Sequence, residues 1–376
     1  MTGMRFTTGG ALLLLIFLAG CQFAKEPVDL VVRNANIVCL DGNGTKAQAM
    51  AVHQGQIVAV GKEHEILNAY RGTQVEDVQG ATVYPGLIDA HSHLLGYALN
   101  LAHTDLVGTT SWEDVLLRLK TDHVGSDDPW VRGRGWDQND WALPQFPDRA
   151  ELDRLFPNRP VVLQRIDGHA VMANQRALQM TGLLHAQELP GGEMLRRTDG
   201  TPTGVLVDGA ADSLLARIPK PSARTKALAL RKAQENLVAV GLTTVTDAGL
   251  DVEDIVLLDS LHQAGTLWLR VVAMANPTEP NFQAMAERGG WLTERLIAQS
   301  FKFYMDGALG SRGAALLEPY SDRPESSGLF LQDEAHYRAK IERTKDAGFQ
   351  VATHCIGDAA VRRVLHNYGE LLGGVN

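Results

Sequence analysis

From Ala81 onward the chain keeps returning to a short apolar run, a loop and an amphipathic stretch, a rhythm that a parallel sheet wrapped by helices satisfies and few other folds do. The runs read as strands are 83–91, 242–248, 267–275, 301–305 and 349–354, and the stretches read as helices include 226–240, 252–263 and 333–347. Between the first two strands the rhythm breaks. Residues 111–208 hold Trp130-Val-Arg-Gly-Arg-Gly-Trp-Asp137, Pro160-Val-Val-Leu-Gln-Arg-Ile-Asp-Gly-His169 and Gly191-Gly-Glu-Met194, and are expected to form a small inserted subdomain. Ahead of the rhythm, 22–82 offers short strands at 28–38, 49–52 and 57–60, Gly- and Asn-rich turns between them and a helix at 63–70, which predicts a β-sandwich segment.

A chain of 376 residues that is 45% hydrophobic and 21% charged has the apolar content for a large core. Its net charge of −9, with no Lys/Arg cluster, argues against a nucleic-acid partner. Residues 1–21 read as an export signal: Arg5 is the positive region, 11–19 the apolar region, and Leu18-Ala19-Gly20 precedes Cys21. The apolar run is too short to span a bilayer. Small residues before a cysteine resemble the bacterial lipoprotein signal, so Cys21 is the expected lipidation site of an exported protein anchored to a membrane and facing the periplasm or cell exterior; a plain secretory signal is the alternative. The two remaining cysteines, Cys39 and Cys355, lie far apart in apolar runs and imply no disulfide framework.

The chemistry gathers at strand ends. In a strand, residues i and i+2 share a face, so His91 and His93 of His91-Ser92-His93 leave the first strand together, roughly 7 Å apart at Cα, as a pair of imidazoles able to grip one divalent metal. Two surface histidines beside a turn would be the ordinary reading of such a pair alone. Lys302 and His354 on two later strands change it, because active residues of β/α barrels sit at the C-terminal ends of the strands. A lysine between Phe301 and Phe303 is costly as an ammonium and should have a lowered pKa. As a neutral amine it can take up carbon dioxide and become a carbamate, an oxygen ligand; snorkelling, or pairing with Asp306, is the alternative.

With these residues in view, the chain resembles the amidohydrolase superfamily, specifically amidohydrolase family 3, the group of YtcJ-like proteins and N-substituted formamide deformylases. The resemblance rests on Tyr84-Pro-Gly-Leu-Ile-Asp-Ala-His-Ser-His93, Gly133-Arg-Gly-Trp-Asp137, Asp167-Gly-His-Ala170, Gly241-Leu-Thr-Thr-Val-Thr-Asp247, Lys302-Phe-Tyr-Met-Asp-Gly-Ala-Leu-Gly-Ser-Arg312 and Thr353-His-Cys-Ile-Gly-Asp358. It implies a distorted TIM-like barrel of the metal-dependent hydrolase type beside a β-sandwich, with His91, His93 and His354 as metal ligands and a carboxylated Lys302 as bridging ligand. Lys302 and His354 are thereby also the expected catalytic pair. The implied reaction is hydrolysis of a small-molecule amide or formamide C–N bond by a metal-activated water, with zinc the expected metal, as one ion or two. His169, Trp136 and Arg312 are candidate substrate contacts; for each, a structural role is the competing reading. Asp247 and Asp358 are candidates for orienting ligands or loops.

The family's pattern continues past the fifth strand, with a further histidine on the sixth and an aspartate on the eighth. Residues 83–376, once the insertion is set aside, hold five of the eight strands. The expectation is therefore an incomplete barrel from a C-terminally truncated chain, whose own activity is open. Two other classes of function compete: a non-catalytic exported lipoprotein that binds through its aromatic insertion, and a metal phosphoesterase, which also uses a paired-histidine strand. The sequence leaves the oligomeric state undetermined.

Overall fold

Five of the apolar runs become five parallel strands lying side by side in chain order: β1 (Leu87–Ser92), β2 (Leu242–Leu250), β3 (Arg270–Ala275), β4 (Leu296–Tyr304) and β5 (Gln350–His354). The computed structural model describes residues 24–123, 129–187, 189, 192–307, 309, 313–321 and 323–373. Helices α1 (Leu94–Asn100), α2 (Ala223–Ala239), α3 (Val252–Gln263), α4 (Glu279–Arg288), α5 (Glu334–Asp346) and α6 (Asp358–Leu371) lie between or after the strands. Local signals set several helix ends: Ser222 accepts from the Thr225 amide to start α2, Asp333 accepts from Ala335 and His336 to start α5, and Gly289 in the left-handed region ends α4.

The alternation along β4 decides which side chains reach the strand's inner face. Phe301 and Phe303 turn toward the helices, where Phe301 stacks on Phe282 at 4.3 Å and meets Phe349 edge-on, and Phe303 meets Tyr337 edge-on at 5.9 Å. Because side chains alternate, Lys302 and Tyr304 project from the opposite face. On β5 the same rule sends Thr353 toward Tyr337 and Tyr368, whose hydroxyls each lie 2.8 Å from its own, and leaves Ala352 and His354 on the face of Lys302 and Tyr304.

The chain divides into two compact units after Gly86. The first holds a four-stranded sheet in the order Gln56–Gly61, Ala49–His53, Glu26–Arg33, Tyr70–Asp77, and a three-stranded sheet of Lys46–Ala47, Asn36–Val38 and Thr82–Val83. Val28, Val31, Ala49, Ala51 and Ile66 make one small core, and Val32, Ala35, Ile37 and Ala47 a second. The boundary lies after Gly86 and not after residue 82, because Thr82–Val83 pairs in parallel with Asn36–Val38. The apolar pattern alone puts the start of the first barrel strand at Val83; β1 begins at Leu87.

The insertion, within the second unit, builds a six-stranded mixed sheet in the order Gly192–Arg196, Pro202–Asp208, Ala170–Ala173, Val161–Arg165, Val131–Trp136, Thr104–Asp105, the last strand lying ahead of residue 111, so the subdomain begins earlier than the break in the sequence rhythm. Its core includes Leu106, Leu119, Val131, Leu163 and Met172 around Trp136, which is 0% exposed, lies 6.1 Å from the Trp141 ring and donates its indole N–H to the Leu163 carbonyl at 2.9 Å. Trp136→Ala should cost about 3–5 kcal/mol of stability, read as a lower urea midpoint by circular dichroism; a loss below about 1 kcal/mol would contradict this packing.

Candidate metal centre

Every functional side chain singled out on the five strands stands at a C-terminal strand end. His91 is carried by β1 and His93 follows as the residue before α1; their ring centroids are 6.1 Å apart, edge to face, and both are exposed. His93 spends no side-chain hydrogen bond on capping α1. The cap is supplied from β2 instead: Asp247 accepts the Leu95 amide at 2.8 Å, and Ser92 Oγ donates to the Thr246 carbonyl. The His91 amide donates to Asp89 at 3.0 Å. The strand end that presents both imidazoles is therefore laced to its neighbour.

On β4, Lys302 is 4% exposed, and its Nζ lies 5.4 Å from the centre of the Tyr304 ring. It forms no ion pair with a described carboxylate. Pairing with Asp306, the alternative weighed from sequence, does not occur, because that carboxylate accepts three backbone N–H groups: Ala315 at 2.9 Å, Ile356 at 2.9 Å and Gly357 at 2.7 Å. Burial holds the Lys302 ammonium below the ordinary lysine value, opposed in part by Cys355. His354 stands opposite Tyr304 in the β4–β5 register, with ring centroids 5.6 Å apart and its Nε2 3.4 Å from the Gly307 carbonyl.

Electrostatics couples the two pairs. Desolvation, then the charge of Lys302, then that of His91, depress the pKa of His93, which keeps its ring neutral and able to donate a lone pair at neutral pH. Tyr304 is pushed up by burial and by Asp247, so its phenol stays protonated. Its hydroxyl occupies space that exists because residue 249 is glycine: a Cβ there, at φ +126°, would sit 3.3 Å from Tyr304 Oη and 3.1 Å from Asn276 Oδ1.

Among the described residues no group of three or more His, Cys, Asp or Glu side chains is arranged to hold a metal ion. A metal set built from the expected ligands would therefore have to include Lys302 beside the histidines. The observation in favour is that Lys302, buried and without a described carboxylate partner, acts electrostatically on His93 and shares with His354 a neighbour in the Tyr304 ring.

Other expected site residues lie elsewhere. Trp136 is corrected from substrate contact to core residue, since its ring is enclosed and its N–H already satisfied. His169 is exposed at the turn between Val161–Arg165 and Ala170–Ala173, where Arg165 pairs with both Asp137 and Asp167. Asp358 accepts the Leu317 amide at 2.9 Å and braces a loop. Arg312 and Cys21 lie outside the described residues. Sequence reasoning misses Tyr304, although its spacing of two from Lys302 is the signal that would find it.

The sequence profile of the amidohydrolase family matches residues 74–373. The putative amidohydrolase YtcJ of Bacillus subtilis is 30% identical over 338 residues, which is 86% of this chain and 62% of that protein. The N-substituted formamide deformylase of Arthrobacter pascens is 30% identical over 358 residues, 90% of this chain and 65% of that protein. The crystal structure of an uncharacterised metal-dependent hydrolase from Pyrococcus furiosus aligns with a TM-score of 0.76 at 25% identity, over 91% of this chain and 70% of that one. The chain thus spans less than two thirds of the length of the two curated relatives.

Asp247, 2% exposed, gives this rim a pH dependence. Burial raises its pKa from 3.8 to about 6, opposed by the Leu95 amide and reinforced by Asp254. A carboxyl raised in the folded state binds more protons there than in the unfolded chain, so stability falls as pH climbs from about 4 to about 6 and then levels off. In metal-free protein, Asp247→Asn should flatten that fall and gain up to about 3 kcal/mol at pH 7.5. Thermal melts across pH 4–8 check it; an unchanged slope would show that Asp247 is not the titrating group.

Proposed function

The chain belongs to the amidohydrolase family, and from that premise we propose that it is, or forms part of, a metal-dependent hydrolase that cleaves the C–N bond of a small amide or formamide. The observation that carries the reading is Lys302, a buried amine with no described carboxylate partner, on the same rim as two neighbouring imidazoles. His91, His93 and His354 would be the nitrogen donors. Lys302 would complete the set after its neutral amine nitrogen bonds to the carbon of carbon dioxide and releases one proton, leaving an N-carboxylate in place of a cation.

When bound, a divalent metal supplies Lewis acidity and a water acidified to a pKa of about 7. Zinc suits a set of imidazole and carboxylate-type oxygens. The chain's own groups do the rest. Burial, the largest cause of the lowered His93 pKa, favours the neutral ring with its lone pair available, and the anchoring of β1 through Asp247 and Ser92 holds both imidazoles at fixed spacing. Tyr304, held protonated, donates its O–H toward the oxygen of a substrate carbonyl, where negative charge develops during attack.

The substrate class is supported by the names of the relatives, one a deformylase of N-substituted formamides and one a putative amidohydrolase. We also propose, from residues 1–21 alone, export and anchoring through a lipidated Cys21; among the described residues no helix is long and apolar enough to cross a membrane.

Purified protein supplied with zinc and bicarbonate should retain divalent metal by elemental analysis and release formate from N-benzylformamide. His91→Ala and His93→Ala should lose the metal, and Lys302→Met should retain at most one ion and drop to background turnover. A wild-type protein that takes up no metal with bicarbonate present would sink the proposal, as would faster turnover of phosphate esters than of formamides.

A further inference from the structure

Asp306 is 1% exposed, and its two oxygens collect backbone amides from two separate stretches: Ala315 in the segment that follows β4, and Ile356 and Gly357 at the turn between β5 and α6. That turn is tight enough to exclude a side chain, since a Cβ on Gly357 would lie 1.9 Å from the Ala315 carbonyl oxygen. The same carbonyl accepts the Ala359 amide at 3.1 Å. His354, two residues before Ile356, closes this knot: its Nε2 lies 3.4 Å from the carbonyl of Gly307, the residue after Asp306, and 3.9 Å from the Asp306 carboxylate.

A carbonyl can only accept, so this contact puts the ring proton on Nε2 and leaves Nδ1 as the atom with a free lone pair. Asp306 thus sets the position of His354 from both directions, through the turn that follows it and through the carbonyl beneath its ring. Resting on the reading of His354 as a ligand, we propose that Asp306 is the positioning residue of the metal centre, fixing the tautomer and orientation in which His354 offers Nδ1. Such support of a ligating histidine is worth 10–100-fold in metal affinity in other sites.

Asp358 provides the control. It braces the same loops, accepting the Leu317 amide at 2.9 Å and the Ala359 amide at 2.9 Å. No contact joins it to His354 among the described residues. Cobalt(II) with bicarbonate, titrated into the metal-free protein, reports both affinity and the ligand field. Asp306→Asn should bind about 10–100-fold more weakly with displaced visible bands, while Asp358→Asn should match the wild type in both. Equal affinity and spectrum in Asp306→Asn, or the same weakening in Asp358→Asn, would overturn the proposal. A wild type that takes up no cobalt overturns the metal-centre reading and the proposal with it, a result separable from the first.

Should Asp306→Asn not fold, nitrogen NMR of the metal-free wild type decides. The His354 ring signals, identified by their loss in His354→Gln, should show the Nε2–H tautomer; the Nδ1–H tautomer would refute the assignment.

Discussion

The candidate site depends on the alternation of side chains along one strand. Burying Phe301 and Phe303 among Phe282, Phe349 and Tyr337 is worth about 1.5–3 kcal/mol for each ring. A slip of one residue in β4 would forfeit both and send Lys302 into the aromatic layer. The hydrophobic effect therefore forces an amine onto the inner face, at a cost in desolvation that a structure without a use for it would not carry. The β4–β5 register then sets His354 opposite Tyr304, and the rim follows from strand pairing alone.

Two buried carboxylates hold the strand ends in place by different means. Asp306 meets three backbone N–H donors and locks two loops together, whereas Asp247 meets one and bears a pKa raised to about 6 by burial. The difference lies in what each is asked to hold. The turn after β5 is irregular, and its amides would otherwise be buried without acceptors. At the start of α1, Asp247 satisfies one orphan helix donor, while Ser92 separately ties the strand end to the Thr246 carbonyl.

The legible and illegible parts of the sequence divide along a physical line. The five parallel strands are visible because each lies in a short apolar run, even β1, whose Leu87 and Ile88 are exposed, and the insertion is visible as a break in that rhythm. Their ends are less so: Val83 sits in the same apolar run as Leu87 and Ile88, and only the pairing of Thr82–Val83 with Asn36–Val38 assigns it to the first unit. Trp136 beside Asp137 looks the same in sequence whether it lines a pocket or fills a core. Its burial is decided by Leu163, Trp141 and Phe146, neighbours that one chain cannot reveal as such. Asp306 registers in sequence only as a possible partner for Lys302, because the three amides it serves are donors that every residue but proline possesses and no motif records.

The same electrostatics decides in what form Lys302 can serve a metal at all. Charges of +1 and +2 about 5 Å apart repel by roughly 7 kcal/mol at an effective dielectric of about 20. That is more than a single hydrogen bond recovers, so an ammonium there would oppose metal binding. Burial lowers the pKa of the amine and so eases loss of its proton; a neutral amine would escape the repulsion but offer only one nitrogen donor. In the proposed centre, converting the amine to a carbamate would reverse the sign of the interaction and supply two oxygens.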